Sequence, residues 1–138
     1  MSETDEKFLP EDLPNWQIPY WDALRDHRLA VQRCNECGSL RNVPKELCAH
    51  CHSAGATWTE IPGGGEIYTY TVVHRAPTPA YQAEAPYVLA HVAMDAGIRM
   101  IGRVRDIDPE EVRIGLRVKA SYDDVSSLWT LLQFEPET

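Results

Sequence analysis

The sequence lacks both the long apolar run and the basic surplus that would place it in a membrane or on nucleic acid. No apolar stretch approaches the roughly 20 residues that a membrane-spanning helix needs. Among 138 residues, 13 Lys and Arg stand against 21 Asp and Glu, which gives a formal net charge of −8. Phosphate backbones are bound by basic surfaces, so this balance disfavours general nucleic-acid binding and leaves room only for a local arginine site.

The N-terminus likewise lacks the apolar segment of a secretory signal. Met1–Glu6 is acidic, and we therefore expect a cytoplasmic protein. Residues 1–18 contain Pro10 and Pro14 and only isolated hydrophobic side chains. This composition predicts an extended acidic arm. The remaining length suits one domain or two small modules.

Cysteine is scarce, but its four copies are regularly spaced. Cys34 and Cys37 form one Cys-x-x-Cys pair, and Cys48 and Cys51 form a second pair after ten intervening residues. Two residues between thiolates let backbone amides turn inward while both sulfurs reach one ion. Two such pairs complete a tetrahedron. The pattern predicts a structural Zn²⁺ site of the zinc-ribbon or rubredoxin type.

The four thiols could instead bind iron, form disulfides or act as a redox pair, and each alternative has its own requirement. Iron is the main alternative metal, because rubredoxin holds iron in the same knuckles. His50 and His52 flank the second pair and could substitute as ligands, although four cysteines already fill a tetrahedron. Two disulfides would require an oxidising compartment, and a thioredoxin-type pair would require a βαβ context that is absent. A site closed by four protein ligands leaves no position for water, so it cannot act as a catalytic Lewis acid.

Upstream of the cysteines, Pro19–His27 predicts a short helix with proline near its start. Tyr20, Trp21 and Leu24 form one apolar stripe on it. The stripe either packs on the zinc knuckle or docks on a partner, since a helix this short needs a tertiary contact. Trp21 is therefore a candidate partner residue. We assign the N-terminal helix and the zinc ribbon to residues 19–61.

A strand-rich region follows Pro62–Gly65, which is interpreted as a module boundary. Five segments carry the β-branched and aromatic residues typical of strands: 66–74, 87–94, 98–104, 117–122 and 128–134. One helical turn, Asp108–Glu111, is predicted between the third and fourth strands. This order predicts a five-stranded OB-fold barrel over residues 62–138. The expected fold is mainly β, with a short N-terminal helix, a rubredoxin-like zinc ribbon and the barrel.

The connection between the first two strands is long. Ala76–Pro86 has eleven residues and three prolines, whereas hairpin loops usually have about two to five residues. The segment is either a variable insertion or the lining of a ligand or partner surface, with Tyr81 as its anchor.

The order of these motifs resembles the DUF35 family over roughly residues 19–135. The resemblance is carried by the short helix, the paired Cys-x-x-Cys knuckles, the glycine-rich junction and the segments Tyr68–Arg75, Ala85–Ala90 and Asp108–Gly115. Members of this family are small OB-fold proteins with a rubredoxin-like zinc ribbon, often described as acyl-CoA-associated or nucleic-acid-binding. The resemblance implies a non-catalytic partner of acyl-CoA enzymes, above all thiolase-like or lipid-transfer-protein-like thiolases and aldolases, and in some members of a hydratase.

The expected function is therefore that of an accessory subunit that binds such an enzyme and assists acyl-CoA binding or transfer. Arg99, Arg103 and Arg105 fall on one face of a predicted strand. Three guanidinium groups on one face could hold the phosphates of CoA, although a solvated barrel face is the simpler interpretation. Arg75 forms either a surface salt bridge or a contact to a CoA phosphate or to the partner.

Two other functions stay open. An OB-fold nucleic-acid-binding module is favoured by Tyr68 and Tyr70, which should share a strand face, and disfavoured by the acidic charge. A stand-alone acyl-CoA thioesterase or hydratase would need a base such as His74 or His91, and neither has a nucleophile or paired carboxylates nearby in sequence. His91 is interpreted as a core or rim histidine. The expected partners therefore include neither nucleic acid nor a membrane.

Overall fold

The computed structural model describes Lys7 and residues 9–137. This part of the chain forms two β-sheets with a helix between them. Residues 1–6 and Phe8 of the predicted arm lie outside the described residues. After a 3-10 turn at Asn15–Gln17, the elements are α1 (Ile18–Arg25), β1 (Leu29–Cys34), β2 (Leu40–Arg41), β3 (Ala56–Ile61), β4 (Gly64–Val73), α2 (Pro79–Gln82), β5 (Tyr87–Met94), β6 (Arg99–Val104), β7 (Arg117–Asp124) and β8 (Thr130–Pro136). None of the helices in this part of the chain is long and apolar enough to span a membrane.

The first sheet is a three-stranded antiparallel ribbon in the order β2-β1-β3. Strand β1 lies in its centre, with Gln32 opposite Arg41 on one side and Leu29 opposite Ile61 on the other. Both knuckles adjoin this sheet. The first begins at Cys34, where β1 ends, and the second lies just before β3.

The second sheet is a closed barrel in the order β4-β5-β6-β8-β7. All neighbours are antiparallel except β6 and β8. Strand β5 alternates buried and more exposed residues, as a barrel strand should, and Phe134 of β8 is fully buried in the centre. The predicted five-stranded OB-fold barrel is confirmed.

The glycine run is part of the barrel rather than only a junction before it. Strand β4 begins at Gly64, two residues before the predicted start. A Cβ atom on Gly65 would lie 2.7 Å from the carbonyl oxygen of Ala93. Only glycine therefore permits the close approach of β4 to β5 that helps to close the barrel. The predicted helical turn at Asp108–Glu111 is a hydrogen-bonded turn, closed by Glu111 N–H on the Asp108 carbonyl.

Helix α1 joins the two sheets. Leu24 is buried in the common core, and the Trp21 ring meets Trp129 edge-on at 5.3 Å between centroids. At the end of the helix, the ring of His27 stacks on Tyr122, and its Nε2 lies 2.9 Å from Asp124 Oδ2. The hydrogen bond from Thr130 and the contact with His27 lower the pKa of Asp124. The helix is thus fastened to the barrel as well as to the ribbon.

Candidate functional site

The four cysteine sulfurs converge at the tip of the ribbon. All of them lie within 4.8 Å of one another, and the Cys34–Cys51 and Cys37–Cys48 pairs are each 3.5 Å apart. A tetrahedral ion with Zn–S bonds of about 2.3 Å sets sulfur–sulfur distances of about 3.8 Å, so one such ion fits. A disulfide would need about 2.05 Å, and the four cysteines are free thiols.

Backbone N–H groups stabilise the thiolate form of two of these sulfurs. Hydrogen bonds from the backbone of Cys37 and Glu36 lower the pKa of Cys34 to about 6, and the backbone of Cys51 and His50 lowers the pKa of Cys48. A backbone hydrogen bond at Ser53 favours the thiolate of Cys51, but the neighbouring sulfurs raise its pKa to about 12. Because clustered thiolates repel one another, a bound cation is what allows all four to be ionised together.

Arg41 braces the second knuckle and the chain on either side of it. Its side chain is buried, and its guanidinium donates to the carbonyls of Lys45, Ser53 and Gly55 at 3.2, 3.1 and 3.4 Å. The Ser53 carbonyl also accepts from the Cys48 N–H at 2.9 Å. Arg41 therefore helps to position the second knuckle, which supplies two of the metal ligands. Nothing in the sequence indicated this role, since arginine in a polar segment is usually solvated.

The two knuckles repeat the same backbone turn. Gly38 N–H donates to the Cys34 carbonyl and His52 N–H to the Cys48 carbonyl, each at 3.0 Å. Both residues take a left-handed conformation, with φ of 77° at Gly38 and 64° at His52. Glycine adopts this φ freely, whereas a histidine pays roughly 1 kcal/mol for it. The second knuckle therefore carries backbone strain that the first does not.

Replacing His52 with glycine is expected to stabilise the zinc-loaded protein by roughly 0.5–1 kcal/mol, because it relieves the left-handed strain. Thermal unfolding should show a midpoint higher by about 3 °C. His50→Gly is the matched control, since His50 has no positive φ, and it should give no gain. Zinc content should be unchanged in both variants; a loss in His52→Gly would mean that the imidazole is a ligand.

Beside the ribbon, helix α1 and the barrel enclose a groove of about 360 Å³. We call it the α1 groove. Its lining residues are Lys7, Tyr20, Trp21, Leu24, Tyr81, Glu84, Tyr87, Leu89, Ile101, Gly102, Arg103, Leu131, Leu132 and Gln133. Its walls are mostly apolar, and its charged side chains, Lys7, Glu84 and Arg103, are joined by ion pairs. Three of the predicted site residues, Trp21, Tyr81 and Arg103, therefore come together here.

The long loop reaches the α1 groove through its own short helix, α2. Gln82 fastens the loop by accepting from Ala76 N–H at 2.8 Å and donating to the His74 carbonyl at 3.2 Å. Tyr81 lies 6.3 Å from the Tyr87 ring, and Lys7 Nζ stands 5.0 Å from the Tyr81 centroid. The loop is thus an ordered part of the groove wall. Arg75 lies in the exposed bend before it and does not line the groove.

The three arginines of β6 and its end are not brought to one cavity. Arg103 pairs with Glu84 at 2.7 Å, and Arg105 pairs with Glu135 at 3.5 Å. Arg99 instead lies 4.4 Å over the ring of Tyr68. Of the two interpretations of these arginines, this arrangement favours the solvated barrel face over a joint grip on one set of phosphates.

Arg99 belongs to a second hollow of about 370 Å³, where the ribbon meets the outer barrel face. We call it the ribbon–barrel depression. Its lining residues are Tyr20, Asn42, Val43, His91, Arg99, Met100 and Ile101. Tyr20 and Ile101 line both hollows, so the two adjoin. Burial, with a smaller contribution from Tyr122, raises the pKa of Tyr20 to about 12, which keeps its hydroxyl neutral.

A bulge in β4 separates two tyrosines that the sequence places on one face. The register shifts between Ile67 and Thr69, and beyond the bulge Tyr70 pairs with the fully buried Ala90. Tyr68 instead contacts Arg99 on the outer face. Simple alternation predicted a shared face, and that prediction is wrong because the bulge adds one residue. His91, expected at the core or rim, is exposed on the outer face.

The cysteines and three residues of the α1 groove were identified from the sequence, but Tyr20, Val43, His91 and Ile101 were not identified as one surface. Their association depends on the packing of the ribbon against β6. A weak signal existed in β6, where Ile101 alternates with buried Met100 and must therefore face outward.

Two family models match most of the chain. The model described as "ChsH2, rubredoxin-like zinc ribbon domain" matches residues 21–56, and "ChsH2, C-terminal OB-fold domain" matches residues 58–123. The first of these agrees with the cysteine geometry, so the prediction of Zn²⁺ as the cofactor is confirmed.

Curated relatives include proteins of similar and of much greater length. A "DUF35 domain-containing scaffold protein" of Methanocaldococcus jannaschii is 36% identical over 104 residues, which are 74% of this chain and 73% of that protein. A "Probable enoyl-CoA hydratase alpha subunit" of Thermomonospora curvata is 34% identical over 138 residues, 97% of this chain and 43% of the relative. A "3-oxo-4,17-pregnadiene-20-carboxyl-CoA hydratase alpha subunit" of Mycobacterium tuberculosis is 33% identical over 86% of this chain and 37% of the relative. The chain thus spans about two fifths of the length of these hydratase subunits.

Solved structures show the same architecture. A chain of the "Ltp2-ChsH2(DUF35) aldolase" is 32% identical, with a TM-score of 0.82 over 92% of this chain and 98% of that one. A DUF35 protein of Sulfolobus solfataricus, 15% identical with a TM-score of 0.62, shares the fold. Together with the paired knuckles and the closed barrel, these matches show that the chain is a member of the DUF35 family, with a zinc ribbon and an OB-fold domain of the ChsH2 type.

Proposed function

We propose that this protein is a non-catalytic accessory subunit that binds a thiolase-like enzyme of the lipid-transfer-protein type and assists the binding or transfer of its acyl-CoA. The observation that carries the proposal is the likeness to the DUF35 chain of an aldolase complex over 98% of that chain, at a TM-score of 0.82. A likeness this complete includes the ribbon, the helix and the barrel together, which are the parts that a scaffold would use to hold an enzyme.

The chemistry of the metal centre supports a scaffolding role. Four thiolates fill the tetrahedron of the ion, so Zn²⁺ has no open position for water or substrate. When bound, it supplies folding energy to a ribbon that has little core of its own. Arg41 and the knuckle backbones position the ligands. Effects on the partner's rate would then arise from positioning its substrate and excluding water at its active site.

The α1 groove supports a contact with the acyl-CoA. Its apolar walls suit an acyl or pantetheine chain, and the side chains of Lys7 and Arg103 in its lining could contact a phosphate. Lys7 and Arg103 both bind Glu84, at 2.9 and 2.7 Å, so two positive charges share that carboxylate. Asp123 is a further anion, 3.5 Å from Lys7 Nζ. A phosphate would compete with Glu84 for Arg103, which makes Arg103 the residue through which the groove would sense CoA.

A hydratase is the second candidate partner. This alternative is favoured by the names of two relatives, which are alpha subunits of hydratases and are more than twice as long as the segment matched here. The same scaffold could therefore serve an enzyme that adds water to an enoyl-CoA.

Co-expression with the thiolase-like subunit of the source organism tests the proposal. We expect one complex on size-exclusion chromatography with light scattering, with both chains in a fixed ratio and zinc bound to this chain. Co-expression with the hydratase subunit is the parallel arm. Two separate peaks in both arms, at micromolar concentrations and with zinc fully loaded, would contradict the accessory role.

A further inference from the structure

We propose that the ribbon–barrel depression and its rim are the surface through which this protein docks on its enzyme, and that the partner inserts an apolar side chain flanked by carboxylates. The proposal rests on the proposed function and names the surface that the accessory role would use. It is separate from the groove suggested for acyl-CoA, although the two adjoin at Tyr20 and Ile101.

The rim exposes large hydrophobic side chains that two different sheets bring together. Val43 of the ribbon is 60% exposed, Ile101 of β6 is 54% exposed, and both line the depression. Tyr68 of β4 is 53% exposed and joins them through the guanidinium of Arg99. Single exposed hydrophobic residues are ordinary on a protein surface. A cluster around a concave site is typical of a place where a partner excludes water.

The two strands that line the depression differ in charge from the chain as a whole. The net charge is −8, yet β5 and β6 contain no acidic residue, and Arg99 and His91 both line the depression. Among the described residues, no carboxylate lies within 4.0 Å of the Arg99 guanidinium, whereas Arg103 and Arg105 each have one. Arg99 is held over Tyr68 instead, so its N–H groups remain available. A partner surface with carboxylates around an apolar projection would complement it.

The metal centre and this surface are physically linked. Asn42 precedes Val43 in the loop between the knuckles, and its Nδ2 donates to the carbonyl of Arg99 at 3.2 Å. This bond joins the ribbon to β6 at the edge of the depression. One wall of the depression therefore exists only while the ribbon is folded, and docking should require bound metal even though the metal touches no partner residue.

Substitution of Ile101 with glutamate tests the surface. The side chain already faces solvent, so the variant should fold, retain zinc and unfold at the same temperature as wild type. Its affinity for the co-expressed thiolase-like subunit should fall by roughly a hundredfold, since a charge would enter the apolar centre of the interface. Ile114→Glu is the matched control: Ile114 is 67% exposed, lines neither hollow, and its replacement should leave affinity within about twofold.

A charge reversal tests the chemistry of the partner. Arg99→Glu should slow association with that subunit by roughly tenfold at low salt, and the difference should shrink as ionic strength rises. Arg113→Glu, at an exposed arginine outside both hollows, should change the association rate much less.

The outcomes separate this proposal from the proposed function. Binding by the wild type with loss in Ile101→Glu but not in Ile114→Glu supports the surface. Binding by the wild type and equally by Ile101→Glu overturns the surface and leaves the accessory role intact. Loss confined to Leu128→Glu, at an exposed residue beside α1 that lines neither hollow, has the same meaning. If the wild type binds neither the thiolase-like nor the hydratase subunit, both proposals fail together.

Discussion

Replacing Cys48 with serine should remove the zinc, unfold the ribbon and abolish complex formation, while the barrel stays folded. The Cys48 side chain is only 1% exposed, and its sulfur is one of the four that enclose the ion. Serine is a poor ligand at neutral pH because its hydroxyl does not ionise, and structural zinc sites contribute apparent free energies of about 10–16 kcal/mol. The ribbon has too few buried side chains to replace that contribution. The barrel is closed on itself around Phe134 and should persist.

The measurement combines metal analysis with amide spectra. We expect less than about 0.1 zinc per chain, in keeping with loss of a structural zinc site. The amide signals of the ribbon should collapse, and those of the barrel should be retained. Ala49→Ser is the matched control, since it adds the same hydroxyl to the same knuckle and removes no ligand; it should keep one zinc per chain. Chelation of the wild-type protein should reproduce the Cys48→Ser result. A Cys48→Ser protein that keeps stoichiometric zinc and binds the partner normally would contradict the structural role of the site.

Replacing Arg41 with methionine should weaken zinc retention by roughly 10–100-fold without removing a ligand. Methionine preserves most of the buried stem but none of the hydrogen bonds to the carbonyls of Lys45, Ser53 and Gly55. The Ser53 and Gly55 carbonyls keep backbone donors, from Cys48 and Asn35, so the expected cost is that of the lost side-chain bonds, about 1 kcal/mol each. Partners that orient metal ligands typically change affinity by about 10–100-fold. Competition with a fluorescent chelator measures the change.

Arg33 supplies the control for Arg41. It lies in the same ribbon, is exposed, and makes a single long bond of 3.4 Å to the Gly38 carbonyl. Arg33→Met should therefore alter zinc affinity by less than about threefold, as expected for loss of one exposed bond. Equal effects at both positions would show that loss of positive charge near the thiolates, rather than the bonds of Arg41, governs metal retention.

The metal centre was predictable because its information is local. Two residues between cysteines determine how the backbone turns, and ten residues between the pairs are enough to bring both knuckles to one ion. The barrel strands were predictable for a related reason: alternation in β5, with Val88, Ala90 and Val92 buried, is visible directly in the order of residues.

Features that depend on contacts distant in sequence were not predictable. The depression needs Asn42 and Arg99 to meet across 57 positions of the chain, and no pattern within either segment indicates that contact. The bulge near Tyr68 changes the face of every later residue in β4, which alternation alone cannot reveal. Arg41 was missed for a third reason, because its acceptors are backbone carbonyls and leave no mark in the sequence.

The central claim is that this protein acts through an enzyme rather than as one, and a titration of the partner's activity tests it most directly. Acyl-CoA turnover by the thiolase-like subunit is measured while zinc-loaded chain is added, and the chain alone is measured in parallel. The account predicts that the partner's turnover rate rises as chain is added and saturates at a fixed stoichiometric ratio. The chain alone should show no turnover, and the Cys48→Ser chain should not raise the partner's rate. Turnover by the chain alone, or a partner rate unchanged by excess chain, would contradict it.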